Sequence, residues 1–134
     1  FSLGLAGHGA AGNYLYNNYA SGNAVLNSIQ RQNPITTNNG SKNYQETGFK
    51  NNQYLSDYYI ENASFFRLDN INLGYNFGNV LRNKTSLRVS ASIQNVFVIT
   101  KYSGTDPEIS ANTGIDNNIY PRPRIYSIGA NLDF

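Results

Sequence analysis

Apolar and polar residues alternate with a period of two in four stretches of this 134-residue chain. In RIYSIGANLDF, Tyr126, Ile128, Ala130, Leu132 and Phe134 share one parity, and Ile125, Ser127, Gly129, Asn131 and Asp133 share the other. Successive side chains of a strand point to opposite faces, so this pattern predicts a strand over 124–134 with one apolar face and one small or polar face. SLRVSASIQNVFVIT predicts a second strand over 86–100, with Leu87, Val89, Ala91, Ile93, Phe97 and Ile99 opposite Ser86, Arg88, Ser90, Ser92 and Gln94. A third spans 63–77. Its second half sets Ile71, Leu73, Tyr75 and Phe77 on one parity, whereas Phe66 and Leu68 in its first half fall on the other. Either a bulge near Asp69–Asn70, where one extra residue flips the parity, or departure of the chain from the apolar layer reconciles the two halves. FSLGLA predicts a further strand over 1–6, with Phe1, Leu3 and Leu5 on one face.

The connections run long, short, long: 7–62, 78–85 and 101–123. Loops beyond about 15 residues are uncommon in compact soluble domains. Outer-membrane β-barrels combine short periplasmic turns, long extracellular loops and strands of about 10 residues with apolar-out, polar-in alternation. The expected fold class is therefore all-β, an antiparallel transmembrane β-barrel segment with 7–62 and 101–123 as extracellular loops and 78–85 as a periplasmic turn. In a closed barrel the last strand pairs on both sides and needs no loose tail. This direction puts Tyr75, Phe77 and Phe134 near the inner membrane interface and Phe97 and Tyr126 near the outer one, where aromatic girdles form. A chain that opens inside a strand and without Met is expected to be a piece of a longer protein. The alternative fold is a soluble β-sandwich with decorated loops.

Composition narrows the function. Asn fills about one position in six, and only 13% of residues are charged, about half the usual quarter. A net charge of +2 gives no electrostatic case for nucleic acid. The absence of Cys excludes disulfides and thiolate metal sites. No apolar run approaches the ~20 residues of a transmembrane helix.

Few motifs carry chemistry. GHGAAG at 7–12 matches a dinucleotide-binding G-x-G-x-x-G, but NYLYNNYASGN follows it in place of a helix, and 27–38 contains no acidic residue. His8 is the only histidine, with neither a Cys nor an acidic cluster beside it in sequence, and is expected to be a solvated strand-end or loop residue. With one His and no G-x-S-x-G, a hydrolase lacks its parts. Asp106, Glu108, Asp116, Asn117 and Asn118 gather oxygen ligands of the kind calcium favours, without EF-hand spacing; a turn at Asp106–Pro107 is the alternative. NAS (62–64) and NKT (83–85) are chance matches to a glycosylation pattern in an Asn-rich chain. Tyr14, Tyr16, Tyr19, Tyr44 and Tyr54 populate the first long loop, where they either stack on a ligand or partner or pack on one another. Arg67, Asp69, Arg88 and Gln94 are expected to face the lumen, since a charge on the lipid face costs about 2–4 kcal/mol at mid-membrane. There they contact a plug or substrate, or form an ion-pair lattice within the wall.

The stretches SDYYIENASFFRLDNINLGYNF, SLRVSASIQNVFVITKYSGTDPEIS and YPRPRIYSIGANLDF resemble the C-terminal end of SusC/RagA-type TonB-linked outer-membrane transporters, over roughly 56–134. The resemblance implies the last four strands of a 22-stranded barrel with a plug domain, in the outer membrane of a Bacteroidota-type bacterium. It implies import of glycans, peptides or other bulky nutrients, with a SusD-like lipoprotein lid and energy from the TonB complex. Neither cofactor nor enzymatic role is implied. Tyr126, Ile128, Ala130, Leu132 and Phe134 resemble the C-terminal signal read by the barrel-assembly machinery. Alternative readings are a fragment that is a client of that machinery, and an extracellular sugar-binding β-domain. The plug and TonB-binding segment lie outside these 134 residues.

Overall fold

The computed structural model describes residues 1–23, 43–80, 85–108 and 113–133. Along the chain they form β1 (Ser2–Ala10), β2 (Tyr14–Asn17), α1 (Asn18–Asn23), α2 (Asn43–Thr47), a 3-10 turn (Asp57–Tyr59), β3 (Ile60–Asn62), β4 (Phe65–Val80), β5 (Thr85–Thr100), β6 (Ile115–Asp116) and β7 (Ile125–Asp133). The protein is mostly strand, and it divides into two compact units.

The first unit comprises Phe1–Ala10, Phe65–Ile99 and Arg122–Phe134 and contains a four-stranded sheet ordered β1-β4-β5-β7. β1 pairs antiparallel with β4, and β5 with β7. β4 and β5 are hydrogen-bonded neighbours joined through 81–84, a connection too short for the crossover that parallel strands require. Residues 81–84 of the anticipated 78–85 turn lie outside the described residues, while 78–80 still belong to β4.

Register assigns the faces, because partners in an antiparallel ladder point the same way. Leu3 opposes Leu73 and Leu5 opposes Ile71; Leu87 opposes Leu132, Val89 Ala130, Ala91 Ile128 and Ile93 Tyr126. All lie on one apolar face. The β1–β4 register slips between Ala6, which faces Asn70, and Gly7, which faces Leu68, so Asp69 is an extra residue on β4. This bulge returns Leu68 and Phe66 to the face of Ile71 and Leu73, the change of parity visible along the strand. β1 continues to Ala10, four residues past its alternating segment, because Gly7 and Gly9 let the backbones approach. A Cβ on Gly7 would lie 2.7 Å from the Arg67 carbonyl oxygen, and one on Gly9 2.6 Å from that of Phe65. The GHG tripeptide is thus strand, and its glycines serve strand packing rather than a phosphate.

The apolar face carries large exposed side chains: Leu5 is 62% and Ile128 87% exposed, and Leu3, Leu73, Phe77, Tyr126 and Leu132 are also open. Among the described residues, the buried hydrophobic ones are Leu15, Ala20, Tyr59, Ala63, Phe65 and Tyr102, and of these only Phe65 belongs to the sheet unit.

The second unit comprises Ala11–Ser64 and Thr100–Pro121. It draws on both long connections, and they fold together. In its small sheet, ordered β3-β2-β6, β2 pairs antiparallel with β3 and parallel with β6 through Tyr16–Ile115 and Asn17–Asp116. Leu15, Ala63 and Tyr102 form one small core; Ala20 and Tyr59, with Tyr16 and Phe49 against them, form another. Polar side chains do the remaining joining. Asn17 Nδ2 donates to Glu61 (2.9 Å) and to Ser103 Oγ (3.1 Å), Ser103 N donates to Glu61 (2.8 Å), and Asn17 Oδ1 caps α1 by accepting from Ala20 N. Tyr102 donates its hydroxyl to Asp116 at 2.7 Å. Burial, then that bond, pushes the Tyr102 phenol far above its ordinary pKa. Of the loop tyrosines, Tyr16 packs inward on Tyr59, whereas Tyr14 and Tyr54 are exposed. The Tyr44 side chain and 24–42 lie outside the described residues.

Two outcomes are expected. Tyr102→Phe leaves the nearly inaccessible Asp116 carboxylate without its hydroxyl donor, a loss of about 1–3 kcal/mol. Limited proteolysis of the full-length protein should then cut faster within 100–121, with the strands unaffected; unchanged cutting would show the bond to be dispensable. The isolated 134 residues should aggregate in plain buffer, because four strands leave two open edges and one bare apolar face. A monomer with sharp, dispersed amide resonances would instead support the soluble sandwich.

Candidate functional site

The face opposite the apolar one is lined by Asn70, Asn72, Arg67 and His8 from β1 and β4, and by Arg88, Ser90, Ser92, Gln94, Asn131 and Ser127 from β5 and β7. Its upper part is organised by two local departures from regular strand. One is the Asp69 bulge. The extra residue turns its carboxylate toward His8, whose Nδ1 lies 2.7 Å from Asp69 Oδ2. His8 lies near the end of β1 and is exposed, with Asp69 beside it and the Phe65 ring edge-on at 5.6 Å.

The other departure is Asn95, left-handed at φ 52° in the middle of β5. Asn is one of the few residues that tolerates this conformation. The unusual backbone frees the side chain to join three segments. Asn95 Oδ1 accepts from Arg67 Nη1 at 2.7 Å, and Asn95 Nδ2 donates to the Arg122 carbonyl at 2.6 Å. Arg124 Nε donates to the Asn95 carbonyl at 3.4 Å. Arg67, only 2% exposed, also places its guanidinium 6.0 Å from the Phe65 ring centroid.

Around these residues lies a cleft of about 510 Å³ lined by Arg67, Asp69, Asn70, Asn72, Gln94, Asn95, Arg122, Pro123 and Ile125. Three of the four residues singled out from the sequence, Arg67, Asp69 and Gln94, meet here. The fourth, Arg88, lies apart, in a second hollow with Ser2, Gly4, Asn72 and Ser90. Its guanidinium lies near the position a Gly74 side chain would fill. Sequence reading missed Asn95 and Arg122. Both lie in motifs it quoted, IQNVF and YPRPR, but alternation alone does not reveal a left-handed Asn or what its amide will reach.

No group of three or more His, Cys, Asp or Glu able to hold a metal gathers among the described residues. In the 101–123 loop, Asp106 Oδ1 accepts from Glu108 N (2.9 Å), and Asp116 accepts from Asn118 N and from Tyr102. Both carboxylates are buried and take part in the loop's own turns. The residues of the anticipated assembly signal are arranged as follows: Tyr126, Ile128, Ala130 and Leu132 share the apolar face of β7, and Phe134 lies outside the described residues.

The chain is similar to known receptors along its whole length. It is 37% identical over 139 residues to the TonB-dependent receptor SusC of Bacteroides thetaiotaomicron, a match that covers 100% of this chain and 14% of that protein. It is 38% identical over 85 residues to the TonB-dependent receptor P39 of Formosa agariphila, covering 57% of the chain and 8% of the relative. Among solved structures, the RagAB peptide transporter superposes with a TM-score of 0.70 at 27% identity, covering 98% of this chain and 15% of that one. The RagAB peptide importer in its closed-closed state gives 0.72. No family model matches the chain. The chain thus spans about one seventh of the length of SusC and RagAB. Similarity to SusC from end to end, together with the shared fold of RagAB, shows that the chain belongs to the SusC/RagA-type TonB-dependent outer-membrane transporters, of which it is a segment.

Proposed function

We propose that this segment is the last four strands of a 22-stranded outer-membrane barrel, in a transporter that imports peptides, glycans or other bulky nutrients. The observation that carries this reading is the two-faced sheet. One face is continuous and apolar, bearing exposed Leu, Ile, Phe and Tyr; the other bears amides, hydroxyls and guanidinium groups. Hydrocarbon suits the first face and a watered lumen the second, the alternation typical of barrel walls. Arg67, Asp69, Arg88 and Gln94 then face the lumen. β4 and β5, 16 residues each, exceed the ~9–11 residues a tilted strand needs to cross a bilayer. The strands therefore reach beyond the membrane on at least one side.

In this reading the segment performs no catalysis. It supplies wall, outer loops and a terminal strand, while capture by a SusD-like lipoprotein and energy from TonB act through other parts of the full transporter. Loops 7–62 and 101–123 face outward, and the β4–β5 connection faces the periplasm. The alternate apolar residues of β7 and the terminal Phe134 serve as the signal for the barrel-assembly machinery. Such recognition is strand addition, in which backbone pairing supplies affinity and alternate side chains set register.

Cysteine at Thr113, in a full-length parent free of other reactive thiols, should react with an impermeant reagent on intact cells, and cysteine at Asn83 should not. The opposite pattern would reverse the topology. Phe134→Asp should sharply reduce heat-modifiable, folded protein in outer-membrane fractions, while Asp133→Asn, on the opposite face, should have little effect. Equal folded yields for Phe134→Asp and the parent would remove the signal.

A further inference from the structure

We propose that the edge of β5 beyond Asn95, at residues 96–99, is a docking edge for extended peptide cargo, which binds there as an added strand. The inference rests on the reading of this end of the sheet as the outer one, and it narrows the cargo to peptides.

β5 and β7 part at this level. Their ladder runs from Ser86 opposite Asp133 to Gln94 opposite Ile125, where β7 begins. β5 continues to Thr100, with β4 on its other side. Among the described residues, 96–99 have no backbone partner on the side that β7 has left. Closing a barrel fills the outer edges of β1 and β7, but not this edge, which lies inside the strand order. The chain leading into β7 does not fill it either. Asn95 Nδ2 holds the Arg122 carbonyl at 2.6 Å, and Pro121 and Pro123 lack the N–H that a continued ladder needs. The cleft that includes Gln94, Asn95, Pro123 and Ile125 in its lining opens at this fork.

The edge is also undefended. Exposed edges are normally blunted by charge or proline. NVFVIT has neither, and its β-branched residues favour extended backbone. Phe97, Val98 and Ile99 are 41%, 38% and 63% exposed. Before Asn95 the even positions Ser90, Ser92 and Gln94 are polar, whereas Val96 and Val98 after it are apolar. Both parities of the edge therefore suit apolar cross-strand neighbours. Strand addition matches these features, because backbone hydrogen bonds supply affinity and alternate side chains supply preference. A peptide carries the repeating N–H and C=O groups that the edge requires. A sugar chain lacks that repeat, so the edge selects polypeptide over glycan.

The test uses the purified full-length transporter and a dye-labelled short peptide of alternating threonine and valine, capped at both ends. One further probe is N-methylated on alternate amides, which leaves one side of the peptide able to pair. Another is N-methylated on consecutive amides, which blocks both sides. The parent and alternate probes should bind saturably by fluorescence anisotropy. The consecutive probe should bind roughly tenfold or more weaker, the scale of losing a few backbone hydrogen bonds. Amide hydrogen exchange at 96–99 should slow when the peptide is added. Val98→Lys should abolish binding by placing a charge on the edge, and Val98→Thr should keep it. Heat-modifiability confirms that each variant is folded. No saturable binding of the parent probe, equal binding of the consecutive probe, or binding that survives Val98→Lys would overturn the docking edge. Slow exchange at 96–99 before any peptide is added, without further slowing, would show that another part of the full chain fills the edge, and would overturn the cargo assignment. The transport reading is judged separately, with the same peptide on intact cells. Binding to purified protein but not to cells reverses the topology and leaves the edge standing, whereas binding to cells without uptake sinks the transport reading alone.

Discussion

A sheet with one wholly apolar face must give that face an environment other than water. Here the face extends across β1, β4, β5 and β7, from Leu3 and Leu5 to Ile128 and Leu132, and its side chains are exposed. At about 25 cal/mol per Å², a surface of this kind is a strong driving force for burial. Patches larger than a few hundred Å² mark contact with protein or membrane. Hydrocarbon satisfies the face without any second protein layer, provided every backbone group is paired within the wall. The proposed place in an outer-membrane barrel wall would supply that environment, and the alternation of the strands fits it.

The same constraint explains where irregular backbone is allowed. The apolar face has to stay continuous, so the Asp69 bulge restores Phe66 and Leu68 to it and turns its own carboxylate to the other side. The left-handed Asn95 likewise directs its amide to the polar side, where it holds Arg67 and the chain leading into β7. Bulges near functional sites commonly re-aim side chains in this way. The two departures from regular strand are therefore what shape the polar cleft.

The strands were legible because a period of two survives in single residues, and the reversal of parity between Leu68 and Ile71 located the bulge. The four-residue extension of β1 was not legible, since Gly7, His8, Gly9 and Ala10 carry no alternation and pair only because β4 lies alongside. The second unit was equally hidden. Its stability comes from contacts such as Tyr102–Asp116 and Asn17–Glu61–Ser103, made by polar residues 14 to 86 positions apart. No local pattern encodes such pairs. Arg67, Asp69 and Gln94 could be assigned to one face by parity, but that they share a cleft, and that Arg88 does not, depends on register.

The central claim is that the apolar face meets lipid and the opposite face meets water. Spin labels at each position from 126 to 132 in the full-length protein, reconstituted in bilayers, test it directly. Collision with oxygen, concentrated in hydrocarbon, is compared with collision with a water-soluble nickel chelate. We predict a period-two pattern, with oxygen dominant at Tyr126, Ile128, Ala130 and Leu132 and the nickel chelate dominant at Ser127, Gly129 and Asn131. Accessibility without alternation, or with the two sets exchanged, would contradict a lipid-facing wall.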